Sequence, residues 1–336
     1  MKISFFEMKE EWEKEMAAKW FPKDELVFFE KRIEEVPTFE FSDSEVISTF
    51  CSSDVNSDIL SKCNNLEFVA TRSTGFNHID LDYCRENRIK VANVPFYGEN
   101  TVAEFAFGML LTISRKIIQS VNRVNNGVYS TDGLRGFDLN GKTVGLLGFG
   151  HIGQKFAKMC KGFDMNVIAY DVFADKLAGV ADEIGVKMVS MNEVLKTSDV
   201  ISLHMPLFPD TRHVLNKKTF KKMKKGVVLI NTSRGELIDS DALIDAIENK
   251  TVSFAALDVV EAENSLKKDM NEHDLEMKSM HLVIDDHKLI NYSNVLVTPH
   301  NAFNTIEALQ RIVTTSLDNI KTHQDDKFCP NLVKLD

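Results

Sequence analysis

The sequence is poor in the residues that build stapled or fibrous proteins. Five cysteines stand among 336 residues, at Cys51, Cys63, Cys84, Cys160 and Cys329. Their number is odd and no two form a C-x-x-C, so neither a disulfide framework nor a zinc ribbon is expected. A reducing cytoplasm fits best. Seven prolines and 16 glycines exclude a collagen-like or low-complexity chain. No run approaches the ~18–20 apolar residues of a membrane span, so no membrane partner is expected. The opening stretch turns charged at Glu7 without the apolar core of a signal peptide. Positive charge is the scarcer sign: 40 Lys and Arg against 50 Asp and Glu, a net of −10. Nucleic acid is therefore a poor partner, because its phosphates want a basic face. A small anionic substrate remains open, since one local cation overrides the net charge.

What is present is an ordinary globular composition, 43% apolar, long enough for two domains at about 150 residues each. Short apolar runs predict strands at Lys2–Phe6, Val46–Phe50, Phe68–Thr71, Thr143–Leu147, Val167–Tyr170, Val200–Leu203, Val227–Ile230, Val252–Leu257 and Val295–Val297. Several are apolar throughout, as strands buried on both faces are. Helical patterns lie between many of them, the rhythm of parallel βαβ units and of an α/β fold. One long helix is predicted from Thr101 to about Val124, capped by Asn100 or Thr101. Another is predicted from Thr305 to His323. The stretch from Glu263 to Tyr292 breaks the rhythm and reads as a charged surface insertion. Its His273, His281 and His287, with Asp285 and Asp286, match no metal-ligand spacing. The paired lysines between Lys217 and Lys225 read as the exposed face of a helix.

The sharpest motif is G-x-G-x-x-G at Gly148, Gly150 and Gly153, with His151 and Ile152 inside it. A strand precedes it, a helix follows, and a second strand ends at Asp171. A dinucleotide site needs that arrangement. Gly148 permits the turn, Gly150 lets the backbone approach a pyrophosphate, and Gly153 lets helix pack on strand. The helix N-terminus offers free N–H groups to phosphate. Asp171 would accept ribose hydroxyls and repel a 2′-phosphate, so NAD is expected over NADP.

Other candidates stand where strands end, the edge at which such folds bind ligands. Asn231-Thr232-Ser233-Arg234-Gly235 supplies an Arg suited to gripping a carboxylate. Asp258, Glu261 and Glu263 follow the next strand. His300, after Pro299, follows the last and is suited to moving a proton near neutral pH. In the earlier Ser73-Thr74-Gly75, Gly75 would let backbone N–H groups converge on an anion.

Taken together the chain resembles the D-isomer-specific 2-hydroxyacid dehydrogenases, and within them the lactate branch. The resemblance rests on Arg72–Asn77, Asn93–Tyr97, Gly148–Gly153, Leu203–Leu207, Asn231–Gly235, Leu257–Glu263 and Thr298–Thr305, in that order, over nearly the whole chain. It implies two Rossmann-like domains with a cleft between them. The substrate domain, flavodoxin-like, would hold residues 1–100 and 301–336; the NAD-binding domain would hold 101–300, and its first helix would form a homodimer. It implies that Arg234 binds the substrate carboxylate and carbonyl, that His300 is the acid–base, and that Glu263 pairs with it. Glu261 competes for that role, but the spacing favours Glu263. Cofactor contacts are expected from the glycine loop, Asp171, His204, Pro206, Thr232 and Asp258. Substrate contacts are expected from Thr74, Gly75, Tyr97, Arg234 and Phe303. Thr74 departs from the branch, which more often has a small apolar residue there. The reaction implied is reversible NADH-dependent reduction of a small 2-keto acid, pyruvate foremost, to the D-2-hydroxy acid. A D-2-hydroxyisocaproate dehydrogenase and a non-enzymatic NAD(H)-sensing protein are the rival readings.

Overall fold

The computed structural model describes residues 1–263 and 277–335. The chain forms two compact units, Met1–Tyr97 with Thr305–Asp336, and Gly98–Asn304.

In the first unit, strands β1 (Lys2–Phe5), β2 (Glu25–Phe28), β3 (Val46–Thr49), β4 (Phe68–Thr71) and β5 (Lys90–Ala92) form a parallel sheet. Its order is β2-β1-β3-β4-β5, the flavodoxin-like order. Both β3 and β4 are buried at every residue, so they carry no charged side chain and only the small hydroxyls of Ser48, Thr49 and Thr71 among apolar residues. One face is covered by the helix Ile306–Gln324, whose Val313, Leu317 and Ile320 pack with Ile3, Phe5 and Phe68. Thr305 caps that helix, its Oγ1 accepting the N–H of Ala308 at 3.2 Å. Beyond β4 the chain enters Arg72–Gly75, the candidate anion turn.

In the second unit, β6 (Thr143–Leu147), β7 (Asn166–Tyr170), β8 (Lys187–Met188), β9 (Val200–Leu203), β10 (Val227–Asn231), β11 (Val252–Leu257) and β12 (Val295–Val297) form a second sheet. It is parallel throughout. Its order, β12-β11-β10-β9-β6-β7-β8, reverses direction between β6 and β9. Such a switch point is where doubly wound sheets bind ligands. Both sheets agree with the expected α/β, Rossmann-like class.

Several expectations need correction. Strands β2, β5 and β8 went unread because each lies at a sheet edge and is short or half-exposed. The long helix is two helices, Glu99–Ser114 and Ile117–Asn125. The carbonyl of Ser114 accepts the N–H of Phe137 at 2.9 Å instead of continuing the helix, and Lys116 turns left-handed at φ 50°. The cap at its start is Gly98, without a side-chain bond, so neither Asn100 nor Thr101 serves. Met277–Asn291 is also a helix, and it buries Asp285, Asp286 and Leu289. That part of the chain is not a surface insertion. His273 and the side chain of His281 lie outside the described residues, among which no group of ligands could hold a metal. The lysine run forms only the short helix Lys217–Phe220; Lys217 pairs with Asp241 and Asp245, and Lys224 with Asp199.

Candidate active site

The glycine loop joins β6 to the helix His151–Gly162. Gly148 holds φ 98° and sits against the backbone of His204, which a Cβ would strike. Only glycine meets both demands. A Cβ on Gly153 would lie 2.6 Å from the carbonyl oxygen of Gly148, so its absence lets the helix close on the loop. A Cβ on Gly150 would meet nothing within 4 Å. Gly150 therefore faces open space at a helix N-terminus, where a pyrophosphate can approach the backbone. Asp171 follows β7, and its carboxylate accepts the N–H of Phe149 at 2.8 Å and of Phe173 at 2.9 Å. The acid is thus fixed beside the loop.

Two buried polar atoms border this region without a partner: His204 Nδ1 and Thr232 Oγ1. Such atoms are costly unless something supplies a hydrogen bond, and both belong to the expected cofactor set. His204 bonds through Nε2 to Ser202 Oγ at 2.9 Å, and burial pushes its imidazole down to about 3, so it is neutral. Pro206 is exposed, and its carbonyl accepts Thr211 Oγ1 at 2.8 Å. Open glycine, helix N-terminus, fixed acid and unpaired polar atoms together suit a dinucleotide.

The second cluster arises from register. Asn231, Leu257 and Val297 lie side by side at the ends of β10, β11 and β12. Arg234, Glu263 and His300 follow those residues, so three adjacent strand ends deliver cation, acid and imidazole to one edge. Gly235 makes the approach possible, because a Cβ there would strike the backbone of Val260. His300 Nδ1 lies 2.7 Å from Glu263 Oε1, with side chains 28% and 19% exposed. A carboxylate only accepts, so Nδ1 carries the hydrogen and Nε2 is left for chemistry. Phe303 stands edge-on to the His300 ring at 6.3 Å.

His300 itself adopts φ 53°, and buried Asp258 holds that turn. One of its oxygens accepts Thr298 Oγ1 at 2.5 Å and the N–H of Asn301 at 2.8 Å, and the other accepts the N–H of Ala302 at 2.9 Å. Burial pushes the Asp258 carboxyl above its usual range, while these donors pull it back. Glu261 has other partners: His213 Nε2 at 2.5 Å, Arg212 at 3.2 Å and Ser240. Arg234 donates to the Ser233 carbonyl at 2.7 Å and makes no ion pair among the described residues. Sequence reasoning missed Ser240 and the partners of Glu261, since none stands in a recognisable motif, and it gave no role to Thr298, which lies in one.

In the first unit, Thr74 is exposed and donates its hydroxyl to the Val94 carbonyl at 2.7 Å. Its one hydrogen is thereby spent, and the oxygen is left only to accept. The Gly75 carbonyl accepts Ser73 Oγ at 2.6 Å, and the Tyr97 carbonyl accepts Arg311 Nε at 2.6 Å.

Comparison with known proteins adds a different kind of observation. The model of the D-isomer specific 2-hydroxyacid dehydrogenase NAD binding domain matches residues 107–302. The chain is 38% identical to a D-lactate dehydrogenase of Escherichia coli over 313 residues, 91% of this chain and 92% of that one. It is 38% identical to a 2-hydroxyacid dehydrogenase homolog of Zymomonas mobilis, with 91% and 92% covered. A D-lactate dehydrogenase of Aquifex aeolicus, solved with NAD and lactic acid, superposes with a TM-score of 0.87 at 32% identity and 98% coverage of both chains.

Proposed function

Since the chain belongs to the D-isomer-specific 2-hydroxyacid dehydrogenases, an NAD-dependent family, we propose that it reduces pyruvate to D-lactate. The carrying observation is the His300–Glu263 pair, 2.7 Å long, formed at strand ends adjacent to that of Arg234. Gly148, Gly150, His151, Ile152 and Gly153 would hold the pyrophosphate, and Asp171 the adenosine ribose. His204, Pro206, Thr232 and Asp258 would border the rest of the cofactor. NADH bound there supplies the hydride that reaches the carbonyl carbon.

The chain's own residues do the remainder. Arg234 presents a planar fork of donors to the carboxylate and to the negative charge growing on the carbonyl oxygen. Holding both groups fixes which face of the carbonyl is open to attack. His300 delivers a proton from Nε2 to that oxygen while Glu263 accepts from Nδ1 and steadies the imidazolium. Reduction consumes a proton, so it slows as pH rises, and oxidation gains. Thr74, Gly75, Tyr97 and Phe303 are proposed as substrate contacts. The hydroxyl of Thr74 is engaged by Val94, which supports an apolar preference despite the unusual residue.

The first test follows NADH absorbance at 340 nm with pyruvate, 2-ketoisocaproate, phenylpyruvate and oxaloacetate, and with NADPH as control. Fastest turnover on pyruvate, to D-lactate alone, is expected. A best rate on a bulkier acid moves the substrate assignment and leaves the mechanism intact.

A homodimer is proposed through the helix Ile117–Asn125. Its Ile117, Ile118, Val121 and Val124 are all exposed, a continuous apolar face that a second copy would cover. Light scattering that reports a monomer would refute this. No helix among the described residues is long and apolar enough to cross a membrane. The cysteines are unbridged, which supports a cytoplasmic location; recovery from a secreted fraction would contradict it.

A further inference from the structure

The helix Met277–Asn291 carries an arrangement that the hydride-transfer reading does not use. Asp286 is fully buried, and its side chain reaches two other elements. One oxygen accepts the N–H of Ala262 at 2.8 Å, and the other lies 3.4 Å from Ser240 Oγ. Ser240 opens the helix Ser240–Glu248, and its hydroxyl also lies 3.2 Å from Glu261 Oε2. Glu261 is tied in turn to His213 and Arg212. Charged neighbours on the helix of Asp286 are Asp285 and Lys288, paired at 3.1 Å. The space among Gly235, Ser240, Val260, Glu261, Asp286 and Leu289 is about 10 Å³. That is room for one water at most, so the acids are not a ligand site.

What the acids do is hold a backbone. Ala262 immediately precedes Glu263, and Val260 is pressed against Gly235, next to Arg234. The short stretch after β11 is thus clamped on both sides just before it delivers Glu263 to His300. An acid buried this way, its carboxyl pushed up to about 6 by desolvation, is costly to keep. A well-packed apolar side chain would stabilise the same spot at less cost, so its service is to place the loop.

We propose that Asp286 is a positioning residue for proton transfer: by gripping Ala262 and Ser240 it fixes the Val259–Glu263 backbone where Glu263 meets His300. This rests on the Glu263–His300 reading above. The test is steady-state reduction of pyruvate, or of the best acid of the panel, by the full chain. Asp286→Ala lowers kcat by roughly 10–100-fold, the scale of a small misplacement of a reacting group. The KM for NADH stays within about twofold, because the glycine loop and Asp171 are untouched. Asp286→Asn, which keeps an oxygen for Ala262, recovers most of the rate. Adding Asp286→Ala to Glu263→Gln costs little more than Glu263→Gln alone, as expected for groups acting through one another. Wild-type kcat in Asp286→Ala, or losses that multiply in the double variant, overturns the proposal. Should Asp286→Ala fail to fold, Ser240→Ala keeps every backbone bond and should lower kcat in the same direction; a wild-type kcat there overturns it equally. Wild-type kcat in Glu263→Gln would overturn the parent reading and this one together, whereas an impaired Glu263→Gln beside an unimpaired Asp286→Ala refutes Asp286 alone.

Discussion

His300 is held from two directions. Glu263 takes its Nδ1, and Asp258 gathers Thr298, Asn301 and Ala302 around the turn that carries it. Replacing His300 by Gln removes the transferable proton and spares that turn. Turnover is expected to fall ~10²–10⁴-fold, with NADH binding, followed by fluorescence, unchanged. Turnover within tenfold of wild type would sink the assignment. At this scale the sequence left one real ambiguity, two glutamates two residues apart. Spacing favoured Glu263, but spacing cannot say which neighbour an acid meets. The structure puts Glu261 on His213 and Arg212 and leaves Glu263 facing His300. Those contacts join residues 37 to 49 positions apart, which no local pattern encodes.

At the scale of elements, helices were legible where one apolar stripe meets one core. The helix Ile306–Gln324 is such a case: Thr305 caps it and its stripe packs on β1 and β4. Thr305→Ala should cost about 1 kcal/mol, the worth of an N-cap, read as a lower melting temperature with kcat retained. An unchanged melting point would show that the cap bond contributes nothing. The helix Ile117–Asn125 misled because its apolar spacing continues that of Glu99–Ser114, while the break lies in backbone bonding at Ser114. The helix Met277–Asn291 misled for the opposite reason. Its Asp285 and Asp286 point inward while Ile284 and Ile290 are exposed. A helix that buries acids and exposes isoleucines defeats any reading by periodicity.

For the whole molecule, the buried titratable groups set opposing pH dependences. His204, pushed down to about 3, stays neutral when folded, while an unfolded His takes up a proton near 6.5. Its contribution is present above about 6.5 and is lost as pH falls toward 3. Burial likewise holds His78, in the first unit, down to about 4. Asp286 runs the other way. Its folded value of about 6 exceeds the unfolded ~3.9, so its contribution is present below about 3.9 and lost as pH rises through 6. Asp286→Asn should therefore steepen the loss of thermal stability between pH 6 and pH 4, measured by melting at stepped pH; an unchanged slope contradicts this. Taken alone, the sequence determined the parallel α/β class, the glycine loop with its acid, and the family, because these are written in contiguous residues: apolar runs, a strand–turn–helix, and motifs in order. Tertiary structure alone decided which acid faces His300, where the helix after Gly98 breaks, and that Asp286 is buried against the loop bearing Glu263. Each of these depends on which distant group takes up a hydrogen bond, from a side chain for Glu263 and from the backbone for Ser114 and Asp286, and that follows only once folding brings the two together.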